Sequence, residues 1–121
     1  MKPYILVMAL LPACANESTT RETASYIVEA ILAPHCAHAG CHTSETRQHD
    51  LAFDTIPAAI AAMKSVDKRA ALVTPGASAS SELYTILLYG SSGIMPPDAP
   101  LAQADIDLIQ HWIDDGAEGL E

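Results

Sequence analysis

The sequence predicts a small all-helical domain. Four stretches repeat apolar residues with the helical period, and no stretch shows the convincing apolar–polar alternation of a half-buried strand. Connectors rich in Pro, Gly and polar residues occupy 43–50, 74–79 and 90–100. A chain of 121 residues is long enough for one domain with its own core, so two separate domains are excluded.

Two helices are predicted in the first half of the chain. Thr19 and Glu22 have the spacing of a capping box, and Pro34 is expected to end the helix that follows. The apolar face of this first helix consists of Ala24, Ile27, Val28, Ile31 and Leu32. A second, shorter helix is predicted from Pro57 to Lys64, because proline in the opening turn lacks only an N–H that the helix does not use.

Two further helices are predicted in the second half. The third begins near Ser80 or Ser81, either of which can cap it, and ends at Gly90. The fourth runs from about Gln103 to Asp115, although Ala102 stands where a capping hydroxyl or carboxylate is expected. The apolar positions are Leu83, Ile86 and Leu87 in the third helix and Leu108, Ile109, Trp112 and Ile113 in the fourth.

Composition restricts the partners and the core. Six Lys and Arg against 15 Asp and Glu give a formal charge of -9, which excludes nucleic acid as a partner. One Trp, four Tyr and one Phe are few bulky side chains for a domain of this size. Something other than side chains is therefore expected to fill part of the core.

Residues 1–15 have the organisation of a bacterial export signal. Lys2 precedes an apolar run that is too short to span a membrane, and small residues surround Cys14. Cleavage before Cys14 would leave a cysteine that carries lipid, whereas cleavage after Ala15 would release a mature chain without it. We expect the mature domain, residues 16–121, to lie in the periplasm or cell envelope, with Cys14 as a candidate anchor to the outer membrane.

A cysteine–histidine motif follows the first helix. It reads Cys36-Ala37-His38-Ala39-Gly40-Cys41-His42. Two thiols followed at once by an imidazole are what covalent haem attachment requires. The usual spacing has two residues between the cysteines, and here there are four. Because that loop also suits a zinc ion or a disulfide, all three interpretations stay open at this point.

A downstream methionine suits the second axial position of a haem iron. Met95 precedes two prolines, which stiffen its loop enough to present a thioether sulfur. The alternative is that Met95 fills a gap in the core. The weaker ligand candidates are Met63, which is expected to pack in a helix, His49 and His111, and His38, for which solvent exposure is the simpler interpretation.

Short pieces of sequence on both sides of this motif stand in a characteristic order. They are Ile31-Leu32, Cys36 to His42, Leu51-Ala52-Phe53-Asp54, Leu72-Val73-Thr74-Pro75-Gly76, Ser80-Ser81-Glu82-Leu83-Tyr84, Met95-Pro96-Pro97, Leu101 and Trp112 to Ala117. This series resembles the small monohaem class I c-type cytochromes, especially the planctomycete-type domain. The resemblance implies an orthogonal helical domain wrapped around one covalently attached haem c. It implies thioethers at Cys36 and Cys41, His42 and Met95 as axial iron ligands, and a crossing of the first and last helices near Trp112.

The expected function is electron transfer, not catalysis, because the cofactor would carry the chemistry. The acidic surface is expected to steer the protein toward redox partners with basic docking surfaces. One alternative is a haem-bearing subunit or sensor module of a larger exported redox enzyme. Another is a structural lipoprotein stabilised by zinc or a disulfide, which leaves Met95-Pro96-Pro97 unexplained.

Overall fold

The computed structural model describes residues 22–64 and 71–121, and the regular structure in these two ranges is helical throughout. The export signal and Cys14 lie outside the described residues. Helix α1 is one continuous run of three segments, and three more helices follow. Their bounds are Ala24–Ile27, Val28–Leu32 and Ala33–Cys36 for α1, Ile56–Met63 for α2, Glu82–Thr85 for α3 and Gln103–Asp114 for α4, with 3₁₀ turns at Gln48–Asp50 and Ser78–Ser80. The predicted all-helical class is confirmed for the described part of the chain.

Helix α1 begins later than predicted. Thr19 lies outside the described residues, and Glu22 precedes the helix instead of standing in its first turn. The cap is Thr23, whose hydroxyl oxygen accepts from the Tyr26 N–H at 3.3 Å. The next amide, that of Ala24, donates to the Glu118 carbonyl at 2.8 Å. Thr23 is therefore the capping residue, a role that the prediction assigned to Thr19. The bond from Ala24 to Glu118 satisfies the first helical amide, which has no partner within the helix.

The prediction that Pro34 ends α1 is wrong. Val28–Leu32 form a π-helical turn, in which the Ala33 N–H donates to the carbonyl of Val28, five residues back. Proline interrupts an α-helix because its ring collides with the carbonyl four residues back, and the wider π turn relieves that collision. The helix therefore continues through Pro34 and ends at Cys36. This extension places the first cysteine of the motif on the last helical residue.

Helix α2 matches its prediction closely, whereas α3 does not. Thr55 caps α2, Pro57 lies in its first turn, and the helix ends at Met63, one residue early. Helix α3 has only four residues and ends at Thr85, well short of Gly90. Ser81 stands at its N-terminus without capping it.

The buried Ser81 side chain joins α3 to the loop before it. Its hydroxyl donates to the Ala77 carbonyl at 2.9 Å, and its oxygen accepts from the Thr74 N–H at 2.9 Å. The expected role of Ser81 as a helix cap is therefore wrong, because the turn at 74–77 uses the hydroxyl instead.

The core joins the start of α1 to the end of α4. Trp112 is 1% exposed, and its indole N–H donates to the Glu118 carbonyl at 3.1 Å. The same carbonyl accepts from Ala24 at the start of α1. Ile109 and Ile113 are fully buried beside Trp112. None of the helices in 22–64 and 71–121 has the length and apolar character that crossing a membrane needs.

Helix α4 starts without a side-chain cap, as the sequence predicts. Ala102 occupies the N-cap position with an extended backbone, φ -60° and ψ 144°, and it is exposed. We expect Ala102→Ser to raise the free energy of unfolding by about 1 kcal/mol, because a serine hydroxyl there can accept from a first-turn amide. The gain is to be measured by urea unfolding. Ala104→Ser makes the same change inside the first turn, where the hydroxyl cannot cap, so equal effects of the two variants would contradict the prediction.

Candidate functional site

Cys36, Cys41, His42 and Met95 line one cavity of about 240 Å³. A second cavity of about 370 Å³ shares three of these residues, Cys36, His42 and Met95. Most of the remaining wall of the second cavity is apolar, and its side chains are Leu51, Phe53, Leu72, Leu83, Ile86 and Leu87. The fold thus gathers the cysteine–histidine motif and Met95, which are far apart in the chain, around one apolar space.

The loop between the two cysteines folds back on the end of α1. The Cys41 N–H donates to the His38 carbonyl at 2.9 Å, and the His42 N–H donates to the Cys36 carbonyl at 3.1 Å. Gly40 has a φ of +84°, which an L side chain rarely adopts, so glycine permits this tight return. Cys36 is half-buried and Cys41 is exposed, and both are free thiols. The four intervening residues therefore form a closed turn that brings His42 next to the helix end.

The His42 ring is held in one tautomer. Its Nδ1 lies 2.9 Å from the Gln48 carbonyl oxygen. Because a carbonyl oxygen can only accept, Nδ1 is the nitrogen that carries the proton in the neutral ring, and Nε2 then keeps its lone pair. Phe53 contacts the ring edge-on, with centroids 5.7 Å apart and planes at 74°. An imidazole fixed in this way is prepared to bind a metal through Nε2.

An unusual turn presents the Gln48 carbonyl. Arg47, His49 and Asp50 have φ values of 44°, 56° and 61°, a region that side chains other than glycine enter at a cost. The Cys41 carbonyl holds the turn, because it accepts from the Gln48 N–H at 3.3 Å and from the Thr46 hydroxyl at 2.8 Å. Cys41, the residue before His42, is therefore hydrogen-bonded to the same turn that orients the His42 ring.

A carboxylate closes the same loop. Asp54 accepts from the Ser44 N–H at 3.0 Å and from the Ser44 hydroxyl at 2.8 Å. These hydrogen bonds lower the pKa of the Asp54 carboxyl. The Phe53 N–H also donates to the His42 carbonyl at 2.8 Å. Sequence reasoning missed the roles of Ser44 and Gln48, since a bond between residues 44 and 54 has no local pattern and Gln48 acts through its backbone.

Met95 is hydrogen-bonded to Ile86, the C-cap residue of α3. Its N–H donates to the Ile86 carbonyl at 3.0 Å, and the Ser91 hydroxyl donates to the same oxygen at 3.1 Å. The Met95 side chain is half-buried and lines both cavities. The loop is therefore anchored by hydrogen bonds one residue before the two prolines that were expected to stiffen it.

The structure distinguishes the weaker ligand candidates by their burial and by whether they line either cavity. Met63 is fully buried in α2, as expected of a packing residue. His111 is exposed and lines neither cavity. His38 is exposed as well. His49, which sequence reasoning gave little weight because its loop seemed unconstrained, lines both cavities.

The two thiols differ in environment. Burial, and next to it the charge of Cys41, raises the pKa of Cys36 from 9.0 to about 11. In protein made without haem, we expect Cys36 to react with iodoacetamide at pH 8 at least about 10-fold more slowly than Cys41, because thiolates are the reacting species and higher nucleophilicity offsets only part of the loss. Peptide mass spectrometry of Cys36→Ser and Cys41→Ser proteins measures each rate. Equal rates in folded protein would show that Cys36 is open to solvent.

Comparison with family models, curated proteins and solved structures finds no match for this chain. The chemistry of the site is therefore judged from its own residues. It offers two thiols, an imidazole with a free Nε2 and a thioether around apolar walls. This donor set can hold an apolar, iron-containing group through two covalent bonds and two axial ligands.

Proposed function

We propose that this chain carries one covalently bound haem c and transfers electrons through it in the bacterial cell envelope. The observation that supports this most directly is that Cys36, Cys41, His42 and Met95 line the same cavity. Neither a zinc site nor a disulfide at the cysteines accounts for Met95 in that wall.

The residues present fit such a group. Cys36 and Cys41 would hold it, each by adding its S–H across a vinyl double bond, and His42 and Met95 would bind the iron. Phe53, Leu83 and Leu87 offer apolar surface to a flat macrocycle. The group would also compensate for the small number of bulky side chains, as a covalent staple does in other small domains. When bound, haem supplies reversible one-electron chemistry between ferrous and ferric iron.

The chain's own residues would tune that chemistry. The Gln48 carbonyl holds a proton on Nδ1 of His42, which makes Nε2 a better electron donor to a metal. The soft sulfur of Met95 favours the reduced state and raises the reduction potential. The apolar side chains around the second cavity exclude water, which acts in the same direction by disfavouring the extra charge of the ferric form.

The finer fold and the partners belong to the same proposal. A cytochrome c-like arrangement is supported by the meeting of the start of α1 and the end of α4 at the Glu118 carbonyl. The net charge of -9 favours redox partners with basic docking surfaces. A lipidated Cys14 would keep the domain at a membrane surface.

Salt dependence tests the electrostatic part of the proposal. We expect electron exchange with a small basic redox protein to slow by at least roughly 10-fold between low and high ionic strength, because salt screens the attraction that steers the encounter. Stopped-flow absorbance measures the rate, and exchange with a neutral small-molecule reductant serves as the control. If the rate of exchange with the basic partner were the same at low and high ionic strength, electrostatic steering would be ruled out.

Substitution of the cysteines tests the attachment. The full chain is produced in a bacterial host with a cytochrome c maturation system, and haem staining after denaturing electrophoresis detects covalent pigment. We expect staining of the unchanged protein and none when Cys36→Ser and Cys41→Ser are combined. Cys14→Ser, which alters the third cysteine of the sequence, is the matched control and should leave the stain unchanged. Staining that survives loss of both Cys36 and Cys41 would contradict the proposed attachment.

A further inference from the structure

Three potential metal ligands from distant parts of the chain converge where α1 begins and α4 ends. Glu22 immediately precedes the cap of α1, and His111 and Asp115 lie one helical turn apart at the end of α4. His111 Nδ1 lies 3.8 Å from Glu22 Oε1 and 3.6 Å from Asp115 Oδ2. The three ligand atoms all lie within 4.8 Å of one another. None of these residues lines either cavity of the candidate haem site.

From this geometry we propose that Glu22, His111 and Asp115 form a second site, which binds a divalent transition-metal ion of the zinc class. Zinc with bonds of about 2.0–2.1 Å places tetrahedral ligand atoms about 3.3 Å apart. The two separations from His111 Nδ1, 3.6 and 3.8 Å, exceed that spacing by only a few tenths of an ångström, and the carboxylate oxygens of Glu22 and Asp115 lie within 4.8 Å of each other. The His111 and Asp115 side chains are 74% and 63% exposed, so they are free to rotate inward. A water molecule would complete the coordination.

No hydrogen bond links His111 to either carboxylate. Both separations from Nδ1 are longer than a hydrogen bond, and a neutral imidazole has only one proton at Nδ1 to offer two carboxylates. A divalent ion satisfies all three groups together, since it takes the imidazole lone pair and both negative charges. Imidazole with carboxylates suits zinc and its first-row neighbours better than it suits calcium or magnesium, which prefer oxygen alone.

The surrounding charges also favour a cation. The site lies at the C-terminal end of the 12-residue helix α4, where unsatisfied carbonyls concentrate negative potential. Asp114 and Glu118 add carboxylates nearby in the chain, although Asp114 is already bonded to Ser78. A bound ion would join the start of α1 to the end of α4, beside the Glu118 carbonyl that already bridges them. Because the unfolded chain does not assemble the site, binding would stabilise the fold.

Zinc titration of the haem-loaded full chain tests the site. Isothermal calorimetry is expected to show one zinc ion bound through this cluster, and the midpoint of thermal unfolding should rise on the order of 5 °C at ten times the dissociation constant. His111→Asn should weaken binding at least about 10-fold and remove the thermal shift. Glu22→Gln should also weaken zinc binding and remove the thermal shift, because the ligand from the start of α1 is needed as well as those from the end of α4. Asp107→Asn removes another exposed carboxylate of α4, one outside the cluster, and should change neither quantity.

The inference does not depend on the proposed haem function. If the protein is colourless, the same titration is made on the chain carrying Cys36→Ser and Cys41→Ser, so that thiols cannot bind zinc instead. Equal zinc affinity in the unchanged and His111→Asn proteins would overturn the site. Absence of binding and of any thermal shift at about 1 mM zinc, a concentration well above the dissociation constants of built zinc sites, would overturn it as well.

Discussion

Replacing Met95 by leucine is expected to abolish the near-infrared sulfur-to-iron band of the oxidised protein and to leave its covalent pigment in place. Leucine keeps most of the volume of the half-buried side chain but has no sulfur to bind iron. The reduction potential should fall on the order of 0.1 V, a fraction of the roughly 0.8 V over which axial ligands set haem potentials. Absorbance spectroscopy and a redox titration measure the two effects.

Met63→Leu is the matched control for this experiment. It makes the same chemical change at a fully buried position in α2 that lines neither cavity, so both the band and the potential should stay as they are. If the Met95→Leu protein kept the band, Met95 would not be the ligand. If both variants lost it, the effect would come from general disturbance of the core and the assignment of Met95 would fail.

Trp112→Ala is expected to lower the free energy of unfolding by about 3–5 kcal/mol, which is a large part of the total stability of a small domain. Trp112 is the largest fully buried side chain, and its indole N–H bonds to the Glu118 carbonyl that also accepts from Ala24. The change therefore leaves a cavity and removes the hydrogen bond that ties α4 to the Glu118 carbonyl, the same carbonyl that accepts from the start of α1. Urea unfolding followed by far-ultraviolet circular dichroism measures the loss.

Two further variants separate the contributions of Trp112. Trp112→Phe keeps an aromatic ring but removes the indole N–H, so its loss should be smaller than that of alanine and include about 1 kcal/mol for the missing hydrogen bond. Tyr89 is 89% exposed, and Tyr89→Ala should change stability by less than about 0.5 kcal/mol. A Trp112→Ala protein as stable as Tyr89→Ala would show that the α1–α4 contact contributes little to the fold.

Regular helices were predictable from the sequence, and their irregular ends were not. Apolar periodicity located α4 to within one residue, because Ile109, Trp112 and Ile113 all face the core. The π turn in α1 has no signature in residue spacing, so Pro34 was mistaken for the end of the helix. Helix α3 ends early, and the carbonyl of its C-cap residue, Ile86, accepts from the Ser91 hydroxyl and from the Met95 N–H. The contact with Met95 is nine residues along the chain, and the periodicity of α3 gives no sign of it.

In the candidate site, the residues that act through their side chains were predictable, and those that depend on the backbone were not. Cys36, Cys41, His42 and Met95 were recognisable because their side chains have the chemistry, and the structure places them around one cavity. Gln48 acts through its carbonyl, which every residue possesses, so no side-chain pattern could identify it. His49 was undervalued because the left-handed backbone that places it at the cavity is a property of the folded loop.

The most direct test of the central claim is extraction of the purified full chain with acidified acetone, after expression alongside a cytochrome c maturation system. Acid breaks the axial bonds from His42 and Met95 but not the thioether bonds to Cys36 and Cys41. We predict that the colour stays with the precipitated polypeptide and that its intact mass exceeds that of the Cys36→Ser, Cys41→Ser protein from the same host by about one haem. Colour that passes into the acetone, or protein that is colourless from the start, would contradict the account.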